Sequence, residues 1–453
     1  IGRAALALNT TASNNTAVGS SALLSNTTGN ENNAFGHVAL SSNTTGSSNN
    51  AFGRECLENN TTASENSAFG HVALRANTTG SLNTAVGSRA LMSNTTGLQN
   101  VGIGYEALDT NTTGNYNTAC GSQALDFATT ADGNTAVGAF ALQLTTTGAS
   151  NAAVGRDALV ANTTGTTNVA VGAFALDANT TASYNTAIGY QSLTAATTAS
   201  PNTALGYNSA PSLTTGSENV ILGNSVCSNS GSTTYAQNVI IGADSVQGNG
   251  FTGSGNVVVG RQAGYYFDGD ANNNVIIGGN AGDRTGFNGD NNICIGQGSD
   301  VDTGGRQRAV VIGQAAGTVA QDNTFRAIGD NGCFNSANSS TWSTTSDERI
   351  KKNIVDHTKG LSIINQVKIR NFEYRTAEEI TDSSLAGKNV ADIAVPKTGV
   401  QTGLIAQEIE LVRPEVIVTD DWGIKRVNRD ELFWDMMKAI QELSAKVTAL
   451  EAG

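Results

Sequence analysis

The first 350 residues contain no lysine, and the whole chain of 453 residues has only 4 prolines and 14% charged residues. Ordinary soluble domains carry about 25% charged residues, so the composition already argues against a compact enzyme. Its 52 glycines come with too few prolines for a collagen-like triple helix. No uninterrupted run of about 18 apolar residues occurs, which excludes a membrane-spanning helix. The formal net charge of −13 leaves no basic surface with which to displace counterions from nucleic acid. We therefore expect neither a nucleic-acid partner nor membrane insertion. The chain opens at Ile1 inside a repeat rather than at Met, so an anchoring segment is expected upstream.

The scarcity of charge is uneven. From Ser346 onward there are 15 Lys+Arg and 18 Asp+Glu in 108 residues, leaving 10 and 20 for the first 345. Two physically different objects meet near residue 345.

What fills the first object is a repeat. Glycines recur at steps of 17 from Gly2 through Gly19, Gly36 and Gly53 to Gly223, then at steps of 16 to 19 through Gly242, Gly260 and Gly278 to Gly329. The unit reads N-x-A-V-G-x-x-A-L-x-x-N-T-T-G-x-x, as in Asn15 to Gly29 and beyond. The residue before each Gly is apolar, from Val18 and Phe35 to Ile312, and Asn stands four before the Gly from Asn15 through Asn292. An amide repeated in register predicts a stacked ladder, each side chain bonded to the rungs beside it. Such a short unit fits one coil of a parallel β-solenoid. We expect two short strands and two turns per coil, with Ala22-Leu23 and its equivalents as the second strand. At a rung spacing of about 4.8 Å the shaft would run roughly 90 Å.

Strand alternation puts Asn, Ala and Gly on one face and the apolar residue before Gly on the other. A narrow coil cannot bury both faces, which predicts side-by-side association, most simply a homotrimer. From Val220 the strands become fully apolar, as in Val239-Ile-Ile-Gly242, and the loops lengthen. The expected organisation is a regular shaft over 1–223, a longer-runged continuation over 224–330, a linker over 331–345 and a separate domain over 346–453.

The N-x-A-V-G-x-x-A-L units resemble the β-roll repeats of trimeric autotransporter adhesin heads and of phage tail fibres, over roughly residues 1–330. The remaining text is of another kind: SDERIKKNI, then TGLIAQEIELVRPEVI, then a terminal helix from about Asp430. That helix carries Phe433, Met436, Ile440, Leu443, Val447 and Leu450 at alternating steps of three and four, a short coiled-coil seam. These motifs resemble the intramolecular chaperone of endosialidase-type tail spikes and fibres, a self-cleaving C-terminal domain. The resemblance implies that Ser346 is the nucleophile, Lys351 its base, and the Thr345–Ser346 bond the one that is cut. It implies a single-turnover autoprotease and no cofactor. Read from the residues alone, Thr345-Ser-Asp-Glu348 also fits a capping box that merely starts a helix, and both readings can hold together. A Lys can act as a base only if neighbouring cations or burial lower its pKa from about 10.4; Arg349 and Lys352 lie close enough in sequence to help.

Taken together, these features predict a mostly β protein: a trimeric parallel β-solenoid shaft followed by a small α+β chaperone domain ending in a coiled-coil helix. Its expected role is a phage-type tail fibre on the virion or otherwise extracellular, joined to a virion or baseplate component and binding a host receptor, glycan or outer-surface protein. The alternatives are a fibre that also degrades glycans, a bacterial surface adhesin, or an ice-binding solenoid built on the threonines. For glycan cleavage two carboxylates should stand about 5–10 Å apart, whereas Glu31, Glu65, Glu106 and Glu218 fall at scattered positions. No metal site is expected. Asp268, Asp270 and Asp290 lack the nine-residue calcium period, and His37 and His71 read as solvated side chains. Cys56, Cys120, Cys227 and Cys294 sit in slots for small hydrophobes and read as free thiols, while Cys333 has no assigned role. The repeated Asn-Thr-Thr sequons read as turns.

Overall fold

In a computed structural model the chain forms two compact units, Ile1–Cys333 and Phe334–Gly453. The structure describes residues 1–229, 231, 233–248, 250–283, 287–301, 307–314, 325–327, 354–380, 398–419 and 423–452.

The first unit is a parallel β-solenoid. Strands β1 (Thr16–Val18) to β19 (Phe325–Ala327) are three or four residues long and stack into a single 19-stranded sheet, each pairing in parallel with the next. Pairing is in register by slot, so that Ala17 faces Ala34 and Val18 faces Phe35. One slot always faces inward: Ala34, Ala51, Ala68 and their equivalents are fully buried. The glycine ending each strand lets neighbouring coils approach. At Gly53, with φ 149°, a Cβ would stand 2.1 Å from the Gly70 carbonyl oxygen, which no side chain could tolerate.

Among the described residues each coil holds one strand, not two. The Ala-Leu segment expected as a second strand is a run of turns in which Ser21 and Leu23 adopt left-handed φ of 58° and 51°, and the equivalent residues of later coils do the same. Left-handed backbone costs a branched residue roughly 1–2 kcal/mol. Burying the Leu side chain returns about 1.5–3 kcal/mol, and each turn also bonds its neighbours, as where Leu23 N–H donates to the Ala39 carbonyl at 3.0 Å. Burial therefore outweighs backbone propensity: Leu23, Leu40, Leu57 and Leu74 are all fully buried.

Two amide ladders run along the shaft. In the expected one, the Asn49 backbone N–H and Nδ2 both donate to Asn32 Oδ1, at 3.0 and 3.1 Å, and Nδ2 also donates to the Ala63 carbonyl at 2.8 Å. The second ladder uses the asparagine of each Asn-Thr-Thr. Nδ2 of Asn43, Asn60, Asn77, Asn94 and Asn111 donates to the preceding coil's Asn Oδ1 at 2.7–2.9 Å. The same Nδ2 donates to its own corner carbonyl three residues on, at 2.9–3.1 Å. From Tyr235 the interior widens, and a column of buried rings, Tyr235, Phe251, Phe267 and Phe287, fills it with centroids 4.6–5.9 Å apart.

Within the second unit, α1 (Leu361–Ile364), the antiparallel pair β20 (Arg370–Phe372) and β21 (Gln401–Gly403), α2 (Ala406–Glu410), the antiparallel pair β22 (Ile417–Thr419) and β23 (Lys425–Val427), and α3 (Arg429–Glu451) surround a small core. Among the described residues Ile409, Val416 and Leu432 are buried at its centre, with Val367, Leu404, Ile417 and Val427 packed against them.

Candidate functional site

The outward face of the sheet is the most prominent surface feature of the shaft. The residue before each glycine forms an unbroken stripe of eighteen side chains from Val18 to Ile312, none of them charged. Ten of these, among them Phe69, Val86 and Ile312, are 36–44% exposed. At such exposure the stripe leaves on the order of 1,000 Å² of apolar surface, more than the largest patch of a typical monomer, about 300–600 Å². Phe35, Phe52 and Phe69 stack within it, ring centroids 4.7 and 5.0 Å apart and planes 8° apart.

The shaft also gathers carboxylates. Glu106 stands two residues after its glycine, while Asp109 and Asp126 stand five after theirs in successive coils, which places the two aspartates one above the other. Arg89 bridges Glu106 at 2.8 Å and Asp109 at 2.6 Å. Asp109 Oδ1 and Arg89 Nε are left without partners. Burial, then the neighbouring Asp109 and Glu106, push the Asp126 carboxyl up to about 6, and burial raises Asp109 as well. Of the four glutamates considered for glycan cleavage, only Glu106 joins this cluster; Glu31, Glu65 and Glu218 lie exposed on other coils. With Asp109 and Asp126 only 4% and 6% exposed, the pair is closed to a sugar. Slot arithmetic on the repeat could have found the cluster.

The remaining shaft candidates have ordinary roles. Asp268 Oδ1 accepts from the Gly269 N–H and Asp290 Oδ1 from the Asn272 N–H, which are loop caps. His37 and His71 are exposed. Among the described cysteines all are free, and burial pushes the thiols of Cys56, Cys227 and Cys294 up to about 12. Cys120, in the outward stripe, is exposed.

Cys333 at the end of the first unit lies outside the described residues, as do Thr345, Ser346 and Lys351 in the second. What is described begins at Ile354 and is soon tied to the terminal helix. His357 Nε2 lies 2.6 Å from Asp435 Oδ1. Arg413 donates to the same carboxylate through Nε at 2.8 Å and Nη2 at 3.0 Å. Asp435 is fully buried and Arg413 nearly so. Burial alone would raise the Asp435 carboxyl, but the bonds from Arg413 and His357 outweigh it and hold it below its usual value. The Leu361 N–H donates to Glu442 Oε2 at 2.9 Å, and a bidentate Arg370–Glu408 pair joins β20 to α2. The helix residues expected in a coiled-coil seam are open in the single chain: Phe433, Met436, Ile440, Leu443, Val447 and Leu450 are 44–81% exposed. None of His357, Arg413 and Asp435 was signalled by the sequence, because their partners are 22 and 78 residues apart with no periodicity linking them.

The first unit is thus a long parallel β-solenoid, and the second a small α/β unit whose terminal helix has an open apolar face. Residues 346–418 match the family described as the chaperone of endosialidase. No curated protein matches the chain. The match and the solenoid together fit a tail fibre with an endosialidase-type chaperone domain at its C-terminus. Among the described residues no helix is long and apolar enough to cross a membrane.

Proposed function

We propose that this chain is the shaft and chaperone of a homotrimeric fibre of the phage tail-fibre type, carried on the virion and attaching to a receptor on the host surface. The observation that carries this reading is the eighteen-residue apolar stripe. It exceeds the roughly 800 Å² that each partner contributes to a stable interface, and it runs coil by coil along the shaft, so the surface that matches it in length and spacing is another copy of the same chain. The open α3 face supports the same association in the second unit, as a short coiled coil.

The chaperone domain brings three chains together, sets their register and then cuts itself off at Thr345–Ser346. Ser346 Oγ adds to the Thr345 carbonyl as Lys351 takes its proton, the peptide nitrogen leaves as an amine, and water hydrolyses the resulting ester. The family match beginning at Ser346 supports this boundary. Removing the chaperone leaves a slowly folding, non-local β structure with no route back to the unfolded chains, which stabilises it kinetically.

A denaturing gel tests the cut. The expressed chain should release a fragment of about 11 kDa, the share that 108 of 453 residues take of 46.3 kDa. Ser346→Ala and Lys351→Ala should each abolish that fragment while trimers still form. A single intact band from the unmodified chain would refute self-cleavage.

A further inference from the structure

A shaft of near-identical coils has a register problem. Displacing one chain by one coil leaves almost every seam contact chemically unchanged, since stretches such as Val137, Val154 and Val171 are the same residue repeated. Both amide ladders are bonded within one chain, Asn to Asn 17 residues on, so they are blind to a neighbour's position. Information about register must therefore reside in side chains that face the neighbour. Along the stripe, the largest step in side-chain size is at the two ends of one block: Val18 gives way to Phe35, Phe52 and Phe69, and these give way to Val86.

We infer that the Phe35–Phe52–Phe69 stack is the register key of the shaft, recognised by the same stack in a second and third copy of this chain. The inference rests on the trimer reading above. The three rings are already stacked in one chain, parallel to within 8° with centroids 4.7 and 5.0 Å apart, so they meet a partner as a preformed block and not as adaptable side chains. In register, ring levels meet ring levels and valine levels meet valine levels. A displacement of one coil sets Phe69 of one chain against Val86 of its neighbours, overfilling that level. At the other end of the block it sets Val18 against Phe35, leaving a void. Close-packed interiors penalise both errors. Because the block spans three coils, any displacement of up to three coils produces both mismatches.

Cys120 supplies the readout. It is an exposed cysteine in the same stripe, so in-register chains bring equivalent thiols to one level, while a displaced chain presents Ile103 or Val137 there. The full chain carrying Cys333→Ser is treated with diamide, which accepts the two electrons and two protons lost when two thiols join. Disulfide-linked chains are counted on a non-reducing gel, and sedimentation reports oligomeric state. The unmodified stripe should give trimers and a strong Cys120 disulfide. Phe35→Val/Phe52→Val/Phe69→Val should still give trimers, with the disulfide yield down by about fivefold or more. Phe35→Val/Val86→Phe moves the block by one coil in every copy and should keep the full yield. Trimers of the triple variant with undiminished yield, or loss of the disulfide in the shifted variant, would overturn the key while leaving the fibre reading intact. Trimers of the unmodified stripe without the Cys120 disulfide would overturn the seam on which the key depends. A monomeric chain would overturn the fibre reading and the key together. If the triple variant does not fold, Phe35→Leu/Phe52→Leu/Phe69→Leu, which keeps the stripe apolar and better filled, takes its place with the same expected and overturning results.

Discussion

Replacing Ala128 by Asn should stabilise the shaft, because the inner amide ladder breaks there and leaves an acceptor stranded. Going up the shaft, the slot reads Asn94, Asn111, Ala128, Thr145, Asn162. Asn111 Nδ2 is bonded, but Asn111 Oδ1 is buried without a partner because Ala128 has nothing to donate. The backbone at the gap is unaltered: the Ala128 N–H donates to the Leu125 carbonyl at 3.2 Å, as the Asn111 N–H does to Leu108 at 3.2 Å. An Asn at 128 therefore enters the geometry of its neighbours. Its Nδ2 would meet Asn111 Oδ1 and the Ala131 carbonyl, and its own Oδ1 would accept from the Thr145 hydroxyl, which now only receives Asn162 Nδ2 at 3.3 Å.

An unsatisfied buried acceptor costs about 1–3 kcal/mol and a new hydrogen bond contributes about 1 kcal/mol. Immobilising the side chain takes back a part, so the net expected gain is about 1–2 kcal/mol. Hydrogen exchange is the suitable assay, because long repeat arrays do not unfold as one cooperative unit. Exchange of amides in residues 108–146 should slow by about tenfold, with distant coils unchanged. Thr145→Asn alone should gain little, since its Nδ2 would face Ala128, yet should add to Ala128→Asn in the double variant, a coupling that distant sites do not show. Equal exchange in Ala128→Asn and the unmodified chain, alongside clear loss of protection in Asn60→Ala, would refute the ladder account of that gap.

Asp126→Asn should stabilise the middle of the shaft at pH 8 by about 2 kcal/mol, and the advantage should vanish below about pH 4. The sign follows from a folded-state pKa of about 6 against 3.8: the folded chain binds the proton more tightly, so stability is greatest in acid and falls as pH rises between those values. Asp435 behaves oppositely, its folded value being lowered, so its contribution is present above the ordinary carboxylate pKa and lost as pH falls; thermal melts of the second unit should show this. Asp435→Asn takes from the buried Arg413 the carboxylate that receives its Nε and Nη2, leaving it Glu415 and the more distant Glu431 at the exposed edge, which should cost that unit about 2 kcal/mol, whereas Arg413→Met with Asp435→Leu should recover most of the loss. Expression through a eukaryotic secretory route should yield unfolded chains, because Asn26, Asn43, Asn60, Asn77 and Asn94 of the sequons are fully buried with Nδ2 already bonded. A glycan attached before folding closes the ladder to its neighbours, and folded fibre bearing glycans at these positions would contradict the burial.

How far the sequence was legible depended on whether a residue's neighbour lay one period away. Asn32 and Asn49, Ala34 and Ala51, and Val86 and Ile103 are rung partners, and alternation alone told the inner slots from the outer stripe. The Ala22-Leu23 turn misled for a reason of energy: nothing in an Ala-Leu pair signals left-handed backbone, and the conformation is held by burial and inter-coil bonds that exist only once the stack forms. The inner ladder was obscured because Asn-Thr-Thr is also good turn chemistry. Its asparagine serves both ends, bonding its own corner carbonyl and the coil beside it. The same reasoning separates two kinds of order in the shaft. Contacts that repeat every 17 residues make a coil stable but cannot say which coil it is. Position along the shaft must be encoded where the outward stripe breaks the period, as in the Phe35–Phe69 block; the Ala128–Thr145 gap and the stacked aspartates are buried within one chain and bear on its stability alone. A shaft made only of perfect repeats would bury its surfaces equally well in any register, so the coils of the phenylalanine block are the ones in which substitution should disturb register more than the stability of a single chain.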